Sequence, residues 1–140
     1  MSKLVLVPQK GGGGATAAGD KATFGILTDL TVAADLTNHY ICRKGGAFVD
    51  CVVNLKTPPT GSPAILDIEI STDDAANWAS IFPTGPKITL PAASTSTVTV
   101  DTFEASPLDR IAAGNLLRVN CLQKGSTTPG NRIEVVLRWQ

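Results

Sequence analysis

His39 and Cys42 stand three residues apart in "NHYICRK", and an imidazole beside a thiol is the smallest kit for nucleophilic catalysis. His39 is the chain's single histidine, no "GxSxG" motif occurs, and neither residue sits in a recognisable protease context, so Cys42 reads as a strand neighbour. Asp67 and Glu69, two apart in "LDIEI", raise the paired-carboxylate chemistry of glycoside hydrolysis. Charges on the water-facing side of a strand, opposing edge-to-edge aggregation, account for them more simply. Asp73 and Asp74 in "STDDAAN" could offer oxygens to calcium, yet the spaced Asp/Asn series of a calcium loop is missing, which leaves a solvated turn. Gly14 and Gly19 have the separation of a phosphate loop, but Asp20 and Lys21 follow where Lys and Ser/Thr belong, and an aspartate repels phosphate. Cys42, Cys51 and Cys121 are an odd number without a CxxC pair, which argues for buried free thiols over disulfides or zinc. Of the two tryptophans, Trp139 falls on the apolar face of its strand and Trp78 flanks a polar loop, where an exposed ring would suit ligand stacking on a sugar. The residues thus point to no catalytic centre, cofactor or metal site.

These side chains ride on strands. Phe24 and Ile26 alternate in "ATFGILTDLTV", with Thr28 and Leu30 as a possible continuation, and "NHYICRK" follows a polar turn. Ala47, Val49, Cys51, Val53 and Leu55 share one face of the clearest alternation, with Asp50, Asn54 and Lys56 on the other. After "TPPTGSP", Ala64, Leu66, Ile68 and Ile70 point inward while Asp67 and Glu69 face water. Then come "WASIF", "KITL" and "STVTVDTF", in which Val98 and Val100 share a face. "SPLDRIAAGN" has weak helical character and is too short, and too close to Pro107, to propagate a helix. Leu117, Val119 and Cys121 match Ile133, Val135, Leu137 and Trp139 across the last turn. Roughly eight half-apolar strands result. The expected class is all-β, an antiparallel two-sheet β-sandwich of jelly-roll type, with a closed barrel as the second choice.

Upstream, residues 1–21 stand apart from the expected domain at 22–140. Pro8 ends the strand-like "LVLV", and "GGGGATAAG" offers almost no side chain to pack, as expected of an arm on a flexible hinge. The apolar run in "MSKLVLVPQK" is too short for a signal peptide, and no stretch approaches the ~20 apolar residues of a membrane span. Synthesis in a cytoplasm is therefore expected. Twelve acidic residues balance twelve basic ones, so no net field favours nucleic acid or an anionic membrane as a partner. At 140 residues the chain has enough material for one core.

Three fragments carry more than a pattern. "TPPTGSPAILDIEIS" at 57–71, "ITLPAASTSTVTV", and "AAGNLLRVNCLQKGSTTPGNRIEVVLRW" at 112–139 resemble a β-sandwich domain of structural proteins in tailed bacteriophages. The resemblance keeps its order from Ala47 to Trp139 and departs in three places: Asn115 replaces the usual aspartate of "AAGD", "TDDAANW" replaces a shorter hairpin, and the Gly-rich arm has no counterpart.

What the resemblance implies is a virion component without enzymatic activity. Such domains occur in tail and fibre proteins, head fibres and capsid decoration proteins. The lack of a long fibrous or coiled segment favours a decoration or cement protein on the outer shell. Its partners would then be the major capsid protein and neighbouring copies of itself, with a homotrimer favoured. The expected contact segment is the arm, with Leu4, Val5, Leu6, Val7, Pro8, Gly11, Gly12, Gly13 and Gly14 as its binding residues. The alternative is a receptor- or carbohydrate-binding module on a tail or fibre, with Trp78 as its stacking residue.

Overall fold

The computed structural model describes residues 19–84 and 87–140. The expected contact residues Leu4 to Pro8 and Gly11 to Gly14 lie outside the described residues.

Every regular element among the described residues is a strand. They are β1 (Asp20–Ile26), β2 (Tyr40–Ile41), β3 (Gly46–Thr57), β4 (Ala64–Ser71), β5 (Ala79–Ser80), β6 (Ile88–Leu90), β7 (Val98–Val100), β8 (Arg110–Ile111), β9 (Leu116–Gln123) and β10 (Asn131–Trp139). One sheet runs β1-β10-β3-β7, with β8 also on β3, and the other runs β2-β9-β4-β5, with β6 also on β4. β5 and β6 share one edge of β4, and β7 and β8 share one edge of β3. Ten segments therefore fill eight strand positions, all pairs are antiparallel, and the pairing order is that of a jelly roll.

Alternation builds the core between the sheets. Ala22, Phe24 and Ile26 of β1 meet Ile133, Val135 and Leu137 of β10 and Cys51, Val53 and Leu55 of β3 on one side. Leu66, Ile68 and Ile70 of β4 with Leu117, Val119 and Cys121 of β9 form the other. Burying a side chain of this size removes about 1.5–3 kcal/mol of apolar exposure each, so strict alternation fixes which face turns inward. Trp139 is 1% exposed, inside the core, and its indole N–H donates to the Lys44 carbonyl at 2.6 Å.

Four expectations need correction. Ala47 and Val49 face outward and Phe48 is buried, because the β10–β3 register shifts between Arg138 and Trp139. Arg138 pairs with Asp50 and Trp139 with Phe48, so Val49 is the extra residue of a bulge and parity reverses before Asp50. Asp67 does not face water: it is 4% exposed. β9 and β10 do not pair across their turn, for they lie in opposite sheets and their apolar faces meet through the core. Of "WASIF", only Ala79 and Ser80 are strand, after which Ile81 and Phe82 plug the core. "SPLDRIAAGN" forms turns and β8.

Asn115 closes the turn that leads into β9. Gly114 takes φ +91°, a left-handed conformation glycine adopts freely, and the Asn115 side-chain oxygen accepts the Ala112 amide at 2.9 Å.

Candidate functional site

The densest polar arrangement lies on the outer face of the sheet β2-β9-β4-β5. β4 presents Asp67 and Glu69, and β9 presents Arg118 and Asn120, with Glu69 opposite Arg118 and Asp67 opposite Asn120. Directly opposed residues on one face sit within hydrogen-bonding reach. Arg118 Nε and Nη2 donate to Glu69 Oε1 at 2.8 and 2.6 Å, and Asn120 Nδ2 donates to the same oxygen at 2.6 Å. The loop after β1 adds Asp35, whose amide donates to Asn120 Oδ1 at 3.1 Å and whose carboxylate accepts Arg118 at 3.4 Å.

Above this sheet the β4–β5 loop folds back. Asp74 and Ala75 turn it with positive φ, and Asp73 fastens it by accepting the Asn77 amide at 2.9 Å and the Asn77 side chain at 2.8 Å. Those bonds hold the Asp73 carboxyl below the usual carboxylate range. Both carboxylate oxygens are thus engaged in the turn. The loop delivers Trp78 onto Arg118, whose guanidinium carbon lies 4.3 Å from the ring centroid, a cation–π contact. His39 packs edge-on to Trp78 at 4.8 Å between centroids and bonds Asp35 at 2.9 Å.

A second arm of the network runs inward. Ser80 Oγ donates to Asp67 at 2.6 Å, and Lys87 Nζ donates to Ser80 at 3.1 Å. Burial raises the Asp67 pKa; the Ser80 hydrogen bond and the Lys87 charge oppose that rise.

The acids, bases and aromatic ring of this face are engaged with one another. His39 and Cys42 are separated. Cys42 turns into the core and its thiol donates to the Lys44 carbonyl at 3.2 Å, whereas His39 stays on the outer surface with Asp35. All three cysteines are free and buried, and burial pushes the Cys51 thiol up to about 12. Among the described residues, no three His, Cys, Asp or Glu side chains gather as metal ligands. Trp78 is half-buried with one ring face under Arg118, and Trp139 is a core residue. Sequence reasoning singled out Trp78 as a stacking residue and read Glu69 as a solvated strand charge, and it did not single out Arg118, Asn120 or Asp35. Arg118 and Asn120 were accessible from the outward parity of "LRVNC", but Asp35 reaches the site through an irregular loop that no period encodes.

No family profile matches this chain, and no curated protein matches it. Among solved structures it is similar to a chain in the capsid of Ralstonia phage GP4, at 12% identity and a TM-score of 0.50. The likeness covers 94% of this chain and 89% of that one. The two chains share a fold, a jelly-roll sandwich running nearly their full lengths.

Proposed function

We propose that this protein is a non-enzymatic structural component of a bacteriophage virion, a decoration or cement protein that binds the outer head shell. It would stabilise the shell by adding contacts between capsid subunits and between its own copies. The observation that carries the reading is the fold shared, end to end, with a phage capsid chain. The outer polar network supports it as well, since Asp35, Glu69 and Trp78 are all engaged by Arg118, an arrangement that suits a docking surface better than turnover.

Adding purified protein to bare shells of its phage and measuring occupancy and shell melting tests the proposal. Saturable binding with a raised shell melting temperature is expected. Removal of residues 4–20 should abolish binding, and undiminished occupancy would take the arm out of the mechanism.

A tail or fibre carbohydrate-binding module is the second reading, and the half-buried Trp78 beside His39 favours it. That reading predicts glycan binding lost in Trp78→Ala and no affinity for the shell. Labelling the protein on intact virions separates the two by its position, head or tail.

A further inference from the structure

β1 spends one edge on β10, and no described strand pairs with the other. Exposed strand edges are ordinarily blunted by charge, proline or a bulge. Residues 22–27 carry no charge and no proline, β1 pairs with β10 without a register shift, and Leu27 beyond its end is 79% exposed. A groove of about 490 Å³ runs beside this edge, between Thr23, Phe24 and Gly25 on one wall and Asp35, Thr37 and Asn38 on the other. In the second wall the Thr37 hydroxyl is buried without a hydrogen-bond partner. Main-chain groups in a row and an orphaned hydroxyl fit an added strand.

We infer that this edge receives residues 4–7 of a second copy of the chain, laid antiparallel to β1. "LVLV" is an apolar, strand-like run upstream of β1. Placing Leu6 opposite Phe24 puts Leu4 opposite Ile26, so both leucines extend the buried row. Val7 then faces Thr23 on the outer side, and Lys10 comes opposite Asp20 with complementary charge. Pro8 falls opposite Ala22 and limits the run, as proline does at an edge. Beyond Lys10, nine residues, 11–19, join the run to β1 and extend to about 30 Å. That is longer than the two- to five-residue link of an ordinary hairpin, and it matches reach to a neighbour. The inference rests on the assembly reading only in that copies must stand side by side, and it names their contact.

Val7→Cys and Thr23→Cys, made as separate variants and mixed under mild oxidant, test the pairing. The native thiols are buried and do not compete. A disulfide-linked dimer with one chain of each variant is expected, in solution or on shells. Val7→Cys mixed with Thr99→Cys, an exposed site on β7, should give only background. Failure to form the mixed dimer in both settings, or a cross-link confined to single chains that carry both Val7→Cys and Thr23→Cys, overturns the inference. Shell occupancy of each variant is scored separately. Retained occupancy without the cross-link defeats the docking and leaves shell binding standing, whereas the cross-link without occupancy does the opposite.

Discussion

Thr60 and Thr128 hold each other with main chain and side chain at once. The Thr60 amide donates to the Thr128 carbonyl at 2.9 Å, the Thr128 amide donates to the Thr60 hydroxyl at 3.0 Å, and the Thr127 amide donates to the Thr60 carbonyl at 2.9 Å. Ser62 and Ser126 extend the clasp, the Ser126 amide donating to Ser62 Oγ at 3.0 Å. "PPTGS" and "GSTTPG" are therefore two halves of one fastening, and their joint presence in the sequence has a structural cause.

The clasp should be sensitive to single methyl groups. A Cβ on Gly125 would collide with the Thr128 carbonyl and come within 2.8 Å of the Thr60 amide, backbone groups that cannot step aside. Gly61 adds φ +85° to similar crowding. Gly125→Ala should cost roughly 2–4 kcal/mol, in the range of strained or overpacked sites, and Thr60→Val about 1 kcal/mol for one lost hydrogen bond. Urea denaturation of each variant reads both, and a wild-type midpoint for Gly125→Ala would refute the account.

The bulge predicts opposite outcomes at adjacent residues. Phe48→Ala removes a ring packed at 5.4 Å from Phe103 and 6.3 Å from Trp139, and should cost roughly 3–5 kcal/mol. Val49→Lys, on the bulged and 43% exposed residue, should change stability by under about 0.5 kcal/mol. Thermal melts of the pair decide whether the parity break lies where the register shift puts it.

Asp67 gives a pH signature with a definite sign. Its folded pKa lies above its unfolded one, chiefly through burial, so its contribution to stability is complete below the unfolded value and is lost as pH rises through the folded one. Asp67→Asn keeps an acceptor for Ser80 and removes the loss. The variant should therefore gain on wild type as pH climbs from about 4 to 7. Chemical denaturation at both pH values measures the crossing. Asp50, held low by hydrogen bonds from Arg138, should act in the opposite sense, with Asp50→Asn showing its deficit above the unfolded carboxylate range and losing it as pH falls.

Arg118 joins three elements, so its removal should cost more than an exposed ion pair. Arg118→Met takes two donors from Glu69, leaves it the Asn120 side-chain amide, and frees the Trp78 face. A loss of about 1–2 kcal/mol is expected from these partly exposed groups, together with a change in Trp78 fluorescence. An unchanged emission spectrum would mean that the stacked geometry does not persist in solution.

Thiol chemistry provides a simple probe of the core. Cys42, Cys51 and Cys121 should resist a thiol reagent in native buffer and all react in denaturant, because burial raises each thiol's pKa. Rapid native labelling of Cys51 would contradict its place between Leu137 and Val100.

Alternation made the class and most of the core legible. Phe24, Ile26, Leu66, Ile68, Val119 and Leu137 all lie where a two-residue period puts them. It failed where one strand inserts a residue, since nothing at Val49 distinguishes it locally from Val53. It failed again at Asp67, whose burial depends on Ser80 and Lys87 arriving from other segments. The sheet membership of β9 and β10 was hidden for a related reason: a connection of seven residues, 124–130, serves a hairpin or an arch between layers equally well. The network around Arg118 joins residues 49 and 83 positions apart, distances at which composition and period carry no information.

Among the described residues β1 pairs with its sheet through β10 alone, the last described strand along the chain. While the polypeptide is still leaving the ribosome, β1 must wait, unzipped, until more than a hundred further residues have been added. A stop codon ahead of Asn131 would strip the shared neighbour from both β1 and β3, exposing two sticky ribbons rather than trimming a tail. Late closure of this kind couples solubility during synthesis to the nine-residue β10.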